Sequence, residues 1–467
     1  MISQQILTTL DEVLHDKCLT ANIPGMALII AKNGQPIFEK YYGYRDVSRE
    51  LPVTKDTIFG VASITKSLAA VAVLQLEDAG KLSVEDQMLQ WLPELHLPNE
   101  QYREKVKIHH LLSHTSGFPG MNIVNCARAN SILSDPHGEY LFDGLPLGPN
   151  DRKIKTVAEL MEVMSEAEYS LLGPPGSLFN YSNEGYALLQ EIIERASGEN
   201  FITYVQKNIF QPLEMKRSFF LTSDLKSFEN VTELYAYRKE ADNLSVFNSP
   251  AWWDVGDIYS NGSLKTSSSD LMKFLEVFRL DGMVNGNIIL SKEGVQKMIS
   301  IQATMPTGAH YGYGLQVDGL SGIPVFGHGG SIKGVSSHMK VAKEQGITVL
   351  VLTNIAEANA EKMATTSLNH ILQLPDVTSM EFTQYKLSEE QLKEFSGMYQ
   401  SDEGQKAEIL LYDNHIQLKV QQNLVQMKAY TVGGFMTSGG ERIKFIMDDQ
   451  GKVSGLFKGS RFIPKRN

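Results

Sequence analysis

The sequence predicts an α+β chain. Strands flank a mostly helical middle within the first 375 residues or so, and a small antiparallel barrel or sandwich follows. Three observations carry this. Asn33-Gly34 separates two apolar runs, Met26 to Ala31 and Pro36 to Tyr42, which is a strong hairpin signal. Residues 63 to about 280 read as mostly helical, with apolar stripes and Gly or Ser-Gly stops. Beyond Pro375 the composition shifts, and sets such as Ile416/Leu418/Val420 and Ile443/Phe445/Met447 alternate with polar residues as half-buried strands do. The expected units are residues 1–375, a linker at 376–390 and the barrel or sandwich at 391–467.

Composition narrows the classes of function. An apolar content of 42% and a charged content of 21% describe a globular chain. The net charge of −11 argues against a nucleic-acid partner. Residues 385–467 carry 12 basic and 10 acidic side chains, so the acidic excess belongs to the rest of the chain. Two cysteines, Cys18 and Cys126, exclude a disulfide framework and leave a single bridge open. Met1 to Lys17 has no apolar core of signal-peptide length, and no charge-free stretch reaches membrane-spanning length. The expectation is a cytoplasmic protein without a membrane partner. The oligomeric state is not readable, and a homo-oligomer stays open.

In chain order, residues 3–22 form an amphipathic helix with Ile6, Leu7, Leu10, Val13 and Leu14 on one side, stopped by Pro24-Gly25. The hairpin follows, then a polar, turn-rich stretch from Asp46 to Lys55. Ser63-Ile64-Thr65-Lys66 then heads an apolar run, Leu68 to Leu76, which reads as a buried helix ending at Gly80. Residues i and i+3 share a helix face, so Lys66 lies one turn below the Ser63 hydroxyl. The helix N-terminus and burial both disfavour an ammonium there. A neutral amine beside a hydroxyl is a base beside a nucleophile. The plainer alternative is a helix-capping serine with a solvated lysine. Ser-x-x-Lys recurs at Ser223/Lys226 and Ser337/Lys340; neither heads a long apolar helix, so both read as chance surface spacing.

Three histidines follow, His109, His110 and His114. The His110/His114 spacing lacks the glutamate of a zinc-protease helix, so helix-end capping is expected, with no metal and no cofactor. Residues 119–155 show little periodicity and read as an inserted loop over the site. After Gly173-Pro174-Pro175-Gly176 come Tyr181-Ser182-Asn183 and a helix from Ala187 to Ala196. Tyr181 on that loop or first turn can approach the serine, and the Asn183 amide can donate and accept. The alternatives are a core aromatic and a helix cap. Tyr-x-Asn recurs at Tyr259-Ser260-Asn261 and Tyr412-Asp413-Asn414; the first precedes a helix from Leu271 to Arg279 with Asp270 as its expected cap.

His328-Gly329-Gly330-Ser331 follows the apolar run Ile323 to Phe326 and precedes two strand-like runs, Ser337 to Ala342 and Ile347 to Thr353. Glycines on a strand edge let a substrate backbone approach, and bare N–H groups there can serve an oxyanion. A last helix is expected over 359–372. In the tail, strands are expected at Glu408 to Leu411, His415 to Val420, Leu424 to Thr431, Ile443 to Met447 and Val453 to Phe457.

Taken in order, Ser63-Ile64-Thr65-Lys66, Tyr181-Ser182-Asn183 and His328-Gly329-Gly330 resemble the serine β-lactamase and penicillin-binding-protein superfamily, nearest its class C β-lactamase, D-aminopeptidase and esterase branch. The likeness covers about residues 5–375. The tail, opening with Phe395-Ser396-Gly397-Met398-Tyr399, looks like the lipocalin-like barrel appended to some of these hydrolases. The resemblance implies one antiparallel sheet flanked by helices and shared by the N-terminal hairpin and the strands after residue 320, an all-helical region of about residues 61–280 beside it, and the site between them. It implies Ser63 as the acylated nucleophile, with Lys66 and Tyr181 sharing the proton work and neither singled out as base. Asn183 would orient Lys66 and a substrate amide. His328, Gly330 and Ser331 would line the substrate, and the main-chain N–H groups of Ser63 and Ser331 would form the oxyanion hole. One departure matters: β-lactamases and DD-peptidases usually carry a lysine where His328 stands, which counts against efficient penicillin hydrolysis. The expected function is therefore a serine hydrolase of amide or ester bonds in small molecules or short peptides, D-residue peptides first. Its alternatives are an esterase or weak β-lactamase on the same site, or an acyl-binding or ligand-binding protein without turnover.

Overall fold

The computed structural model describes residues 3–98, 100–142, 153–240, 243–375, 384–413, 415–420, 423–448 and 450–466. A nine-stranded antiparallel sheet joins the two ends of the first 375 residues. Its N-terminal strands are β1 (Gly25–Lys32), β2 (Gln35–Asp46) and β3 (Leu51–Pro52). The later six are β4 (Ala303–Thr304), β5 (His310–Tyr311), β6 (Gln316–Leu320), β7 (Ile323–Ile332), β8 (Val335–Ala342) and β9 (Ile347–Thr353). The order is β4-β5-β6-β7-β8-β9-β1-β2-β3, so β1 is zipped between β2 and β9. Asn33 and Gly34 both take positive φ at the β1–β2 turn, the geometry an Asn-Gly hairpin requires.

Both faces of the central strands are covered, which is why they read as continuous apolar runs. Met26, Leu28, Ile30, Val349 and Val351 meet helix α1 (Gln4–Thr20) through Leu10 and Leu14. The alternate residues Ala27, Leu350 and Leu352 face the large helical core. Helix α2 (Thr65–Asp78) runs through that core, with every residue from Thr65 to Leu74 buried. This fits its alanines, which let neighbouring elements approach closely.

Several expectations need correction. The middle of the chain is not all helical: it contains a hairpin, Tyr235–Glu240 with Asn243–Asn248, and a short pair, Ile58–Gly60 with Lys265–Ser267. Within 119–155 lies α3 (Ile123–Ser134), whose Ile123, Val124, Ala127 and Ile132 turn inward; residues 143–152 of that stretch lie outside the described residues. Interspersed Asn, Arg and Ser hide the short stripe. After α4 (Asn183–Ser197), helix α5 (Ser268–Arg279) is capped by Ser267, not Asp270. The Asp270 carboxylate instead accepts from Arg217 N and Ser218 Oγ. The last helix of this part, α6 (Ala360–Leu372), packs on the α1 side of the sheet.

Of the expected linker, 376–383 lies outside the described residues, and α7 (Glu389–Phe395) starts inside its remainder. Leu392 and Phe395 of α7 already belong to the core of the second sheet. That sheet has eight antiparallel strands in sequence order: β10 (Gly397–Gln400), β11 (Lys406–Tyr412), β12 (His415–Val420), β13 (Asn423–Thr431), β14 (Gly434–Thr437), β15 (Arg442–Met447), β16 (Val453–Lys458) and β17 (Arg461–Pro464). A bridge between Tyr399 and Lys465 brings first and last strands together into a nearly closed barrel. Phe395, Phe435 and Phe445 fill its interior, with ring centroids 4.7 to 5.3 Å apart. An eight-stranded barrel either fills with side chains or holds one small ligand; here these rings occupy the interior. Cys18 and Cys126 are not joined by a disulfide. Among the described residues no helix is long and apolar enough to cross a membrane.

Candidate active site

Ser63 sits in a 3-10 turn, Ala62–Ile64, directly ahead of α2. Ala62 takes φ 46°, a left-handed conformation that costs an L-residue about 1–2 kcal/mol. Neighbouring elements hold the turn in place. Ser337 Oγ on β8 donates to Val61 O at 2.8 Å, and Val61 N donates to Leu264 O at 3.1 Å. Thr65 Oγ1 donates to Ala62 O at 2.7 Å.

Lys66 is fully buried. Its Nζ lies 3.2 Å from Ser63 Oγ, 2.9 Å from Asn183 Oδ1 and 2.6 Å from Asn261 O. Burial, then the positive charges of Arg461 and Arg128, drive its pKa well below the ordinary lysine value, against weaker pulls from Glu184 and Glu403. The neighbour set suits a neutral amine. Two N–H bonds serve the two carbonyl oxygens, and the lone pair is left for the Ser63 hydroxyl.

Tyr181 precedes α4, whose N-cap Ser182 accepts from Gly185 N at 3.0 Å. Tyr181 lines the same cavity as Ser63. Burial pushes the phenol up to about 12, against the opposing effects of Ser63 and Arg461, so it keeps its proton at neutral pH. Its ring has the His114 ring centroid 4.2 Å away, the Lys66 amine 4.8 Å from its centroid and the Arg461 guanidinium 4.9 Å from it. His114 is fixed in turn, its Nδ1 accepting from Ser182 N at 3.1 Å.

His328 lies on β7, 3% exposed. Its Nδ1 is 2.6 Å from Gly329 O and therefore carries the proton, so Nε2 accepts from the Tyr311 hydroxyl at 2.9 Å. Burial, aided by the Lys66 charge, lowers its pKa to about 3. It is a neutral imidazole turned toward Tyr311, not a cation offered to solvent. The two glycines after it are sterically required. A Cβ on Gly329 would fall 2.7 Å from His338 Nδ1, and one on Gly330 would fall 2.1 Å from Val61 O and 3.0 Å from Ser63 N.

Ser63, Tyr181, His328, Gly330, Ser331 and Arg461 line one cavity of about 460 Å³, with Lys66 and Asn183 at its base. All seven residues singled out by sequence are thus brought together. Others were missed. Asn261 belongs to a Tyr-x-Asn triplet set aside as a repeat, yet its carbonyl accepts from Lys66. Ser337 belongs to a discarded Ser-x-x-Lys, yet it pins the turn before Ser63. Arg461 and Glu403 come from the barrel: Arg461 Nη1 donates to Tyr181 O and sits 3.0 Å from Glu403 Oε1, while Tyr181 N donates to Ser460 O at 3.0 Å. The histidines once considered for metal go elsewhere, His109 Nδ1 to the Tyr313 hydroxyl and His110 Nδ1 to Lys107 N.

The chain has relatives among known proteins. The Beta-lactamase family model matches residues 6–372. Protein flp of Staphylococcus aureus strain MW2 is 26% identical over 365 residues, 77% of this chain and 65% of that protein, so the match spans under two thirds of the relative's length. The octameric penicillin-binding protein homologue from Pyrococcus abyssi superposes with a TM-score of 0.70 at 26% identity, over 98% of this chain and 99% of that one, barrel included. A D-amino acid amidase from Ochrobactrum anthropi SV3 shares the fold of the first part, with a TM-score of 0.62 at 21% identity over 79% of this chain and 99% of its own.

Proposed function

Because the chain belongs to the Beta-lactamase family, we propose that it is a serine hydrolase working through an acyl-enzyme on Ser63, with amide or ester bonds of small molecules and short peptides as substrates. The observation that carries this is the Lys66 amine, fully buried, 3.2 Å from the Ser63 hydroxyl, with its other two contacts both carbonyl oxygens.

Lys66 takes the Ser63 proton as Ser63 Oγ bonds to the substrate carbonyl carbon. The resulting oxyanion is held by the main-chain N–H groups of Ser63 and Ser331; losing one such donor typically costs about 3–4 kcal/mol of transition-state stabilisation. The tetrahedral centre collapses, and the leaving amine or alcohol takes the Tyr181 phenol proton, which the Lys66 ammonium replaces. Water then attacks the acyl carbon, giving its proton to Lys66, and Ser63 leaves reprotonated. Tyr181 is assigned the acid because it is protonated at neutral pH. Asn183 and Asn261 aim the amine.

Peptides carrying D-residues are the first substrate class, simple esters the second. A neutral His328 gives β7 no cation for the carboxylate of a penicillin, so benzylpenicillin is a poor substrate. The barrel packed with aromatic rings counts against a role as a pure ligand carrier. The test is a panel of D- and L-aminoacyl p-nitroanilides and p-nitrophenyl esters with wild type and Ser63→Ala. Turnover with a pre-steady-state burst, abolished in Ser63→Ala, supports the reading. Turnover that survives Ser63→Ala defeats it.

A further inference from the structure

We propose that the substrate is an oligopeptide whose chain leaves the Ser63 cavity along the bare edge of β6, in a second cleft between α6 and the barrel. For its chemistry this rests on the serine-hydrolase reading; for binding it does not. The cleft has a volume of about 1080 Å³, more than twice that of the Ser63 cavity and at the upper limit for a single small ligand. The two adjoin, with Gln316, Asn359, Glu361 and Ser460 in the walls of both.

The walls suit a peptide backbone. β6 pairs with β7 along its whole length, Gln316 to Leu320. On its other side β5 reaches only Gln316 and Val317. Among the described residues, Asp318, Gly319 and Leu320 therefore have no strand on that side, and all three line the cleft. Such an edge accepts an extended peptide as an added strand, through main-chain hydrogen bonds. Three residues at about 3.3 Å each give an edge about 10 Å long. From the opposite wall comes Asn369 of α6, 6% exposed, its Oδ1 buried and without a hydrogen-bond partner. A peptide N–H would satisfy it. The lining mixes Asp318, Glu361 and Glu441 with Lys340, Lys362 and Arg442. Mixed charge of this kind fits a polar chain carrying both signs, and neither an acyl tail nor a polyanion.

Gly319 supplies a plug. A Cβ there meets nothing within 4 Å and its φ is ordinary, so Gly319→Trp fills the cleft without straining the backbone. The experiment is calorimetric titration of the full-length Ser63→Ala protein, which binds without turnover, with alanine-based peptides of two to seven residues ending in D-Ala. The expected result is an affinity gain of tenfold or more between two and five residues, then a plateau, with the gain lost in Gly319→Trp and reduced in Asn369→Leu. Affinity independent of length, no binding at any length, or a gain that survives both variants overturns the proposal. Fluorophosphonate labelling of Gly319→Trp with Ser63 intact reports that the variant is folded. If wild type resists labelling and cleaves nothing while length-dependent binding persists, the nucleophile assignment fails and the cleft assignment stands.

Discussion

The Arg461 guanidinium lies 4.9 Å from the centre of the Tyr181 ring and donates to the main-chain oxygen of the same tyrosine, 280 residues away in sequence. The contact places the β16–β17 turn of the barrel inside the candidate site. Glu403, also from the barrel, holds Arg461 from the other side, and Phe462 N donates to Asn180 Oδ1 at 2.9 Å. Arg461 acts on both proton-handling groups, since its charge lowers the pKa of Lys66 and of Tyr181. Replacing it with methionine removes that charge and raises the Lys66 pKa. A base must be unprotonated to work, so the acid limb of the kcat/KM profile moves to higher pH. With Tyr181 less firmly placed, kcat falls on the order of ten- to a hundredfold. Arg461→Lys keeps the limb in place because it keeps the charge, yet loses part of kcat because it lacks the planar fork. pH-rate profiles of the three proteins check this; an unmoved limb in Arg461→Met refutes it.

Lys66 itself gives a sharper test. Its folded pKa sits well below the ordinary lysine value, so activity is present at neutral pH and is lost on acidification through that pKa. Lys66→Met loses about 10²–10⁴-fold in kcat, the usual contribution of a general base. Lys66→Arg loses as much, because an arginine never deprotonates. Rescue by arginine would mean that charge, not basicity, is what the site uses.

Much of this site is legible in the sequence because its parts are local. Ser63 and Lys66 share a helix turn, Tyr181 and Asn183 flank one helix start, and the glycines after His328 mark a close strand approach. What stays hidden is set by tertiary contact. Nothing around Gly459-Ser460-Arg461 distinguishes that turn from the barrel's other glycine turns, and its role appears only once β16 and β17 are docked against Tyr181. The strands β10, β14 and β17 are short or glycine-bounded and carry little alternation of their own. Asn261 contributes a main-chain carbonyl, which no side-chain pattern can announce. Helix α3 escapes notice because its apolar stripe is interrupted by polar residues that bond locally, such as Asn125 to Asn122 and Arg128 to Asn125.

A buried ion pair anchors that helix. Lys333 Nζ lies 2.6 Å from Asp135 Oδ2, with both side chains 2% exposed, and Trp253 Nε1 donates to the same carboxylate at 3.0 Å. Burial alone would raise the Asp135 pKa, but the bonds from Lys333, the His137 N–H and Trp253 together hold it below the ordinary carboxylate value. Its stabilisation is therefore present at neutral pH and lost as pH falls through that lowered pKa. Lys333→Met strands the carboxylate and costs about 3–5 kcal/mol in urea unfolding at pH 7. The double variant Asp135→Asn/Lys333→Met recovers part of the loss. Equal stability of Lys333→Met and wild type would contradict the assignment.

Gly330 tests how tightly β7 must approach the nucleophile. An alanine Cβ there falls 2.1 Å from Val61 O and 3.0 Å from Ser63 N, and both are backbone atoms that yield only by moving the Ser63 turn. Gly330→Ala therefore slows acylation of Ser63 on the order of a hundredfold, read from the rate of active-site labelling. An unchanged rate would show that the turn tolerates the shift.

The central claim is that Ser63 is a nucleophile activated by Lys66. Intact-mass spectrometry after incubation with a fluorophosphonate tests it most directly, on wild type, Ser63→Ala and Lys66→Met. One adduct per chain is expected in wild type, mapped to the peptide containing Ser63, none in Ser63→Ala, and labelling slowed by at least about 10²-fold in Lys66→Met. An adduct on another residue, or equal labelling rates with and without Lys66, would contradict it.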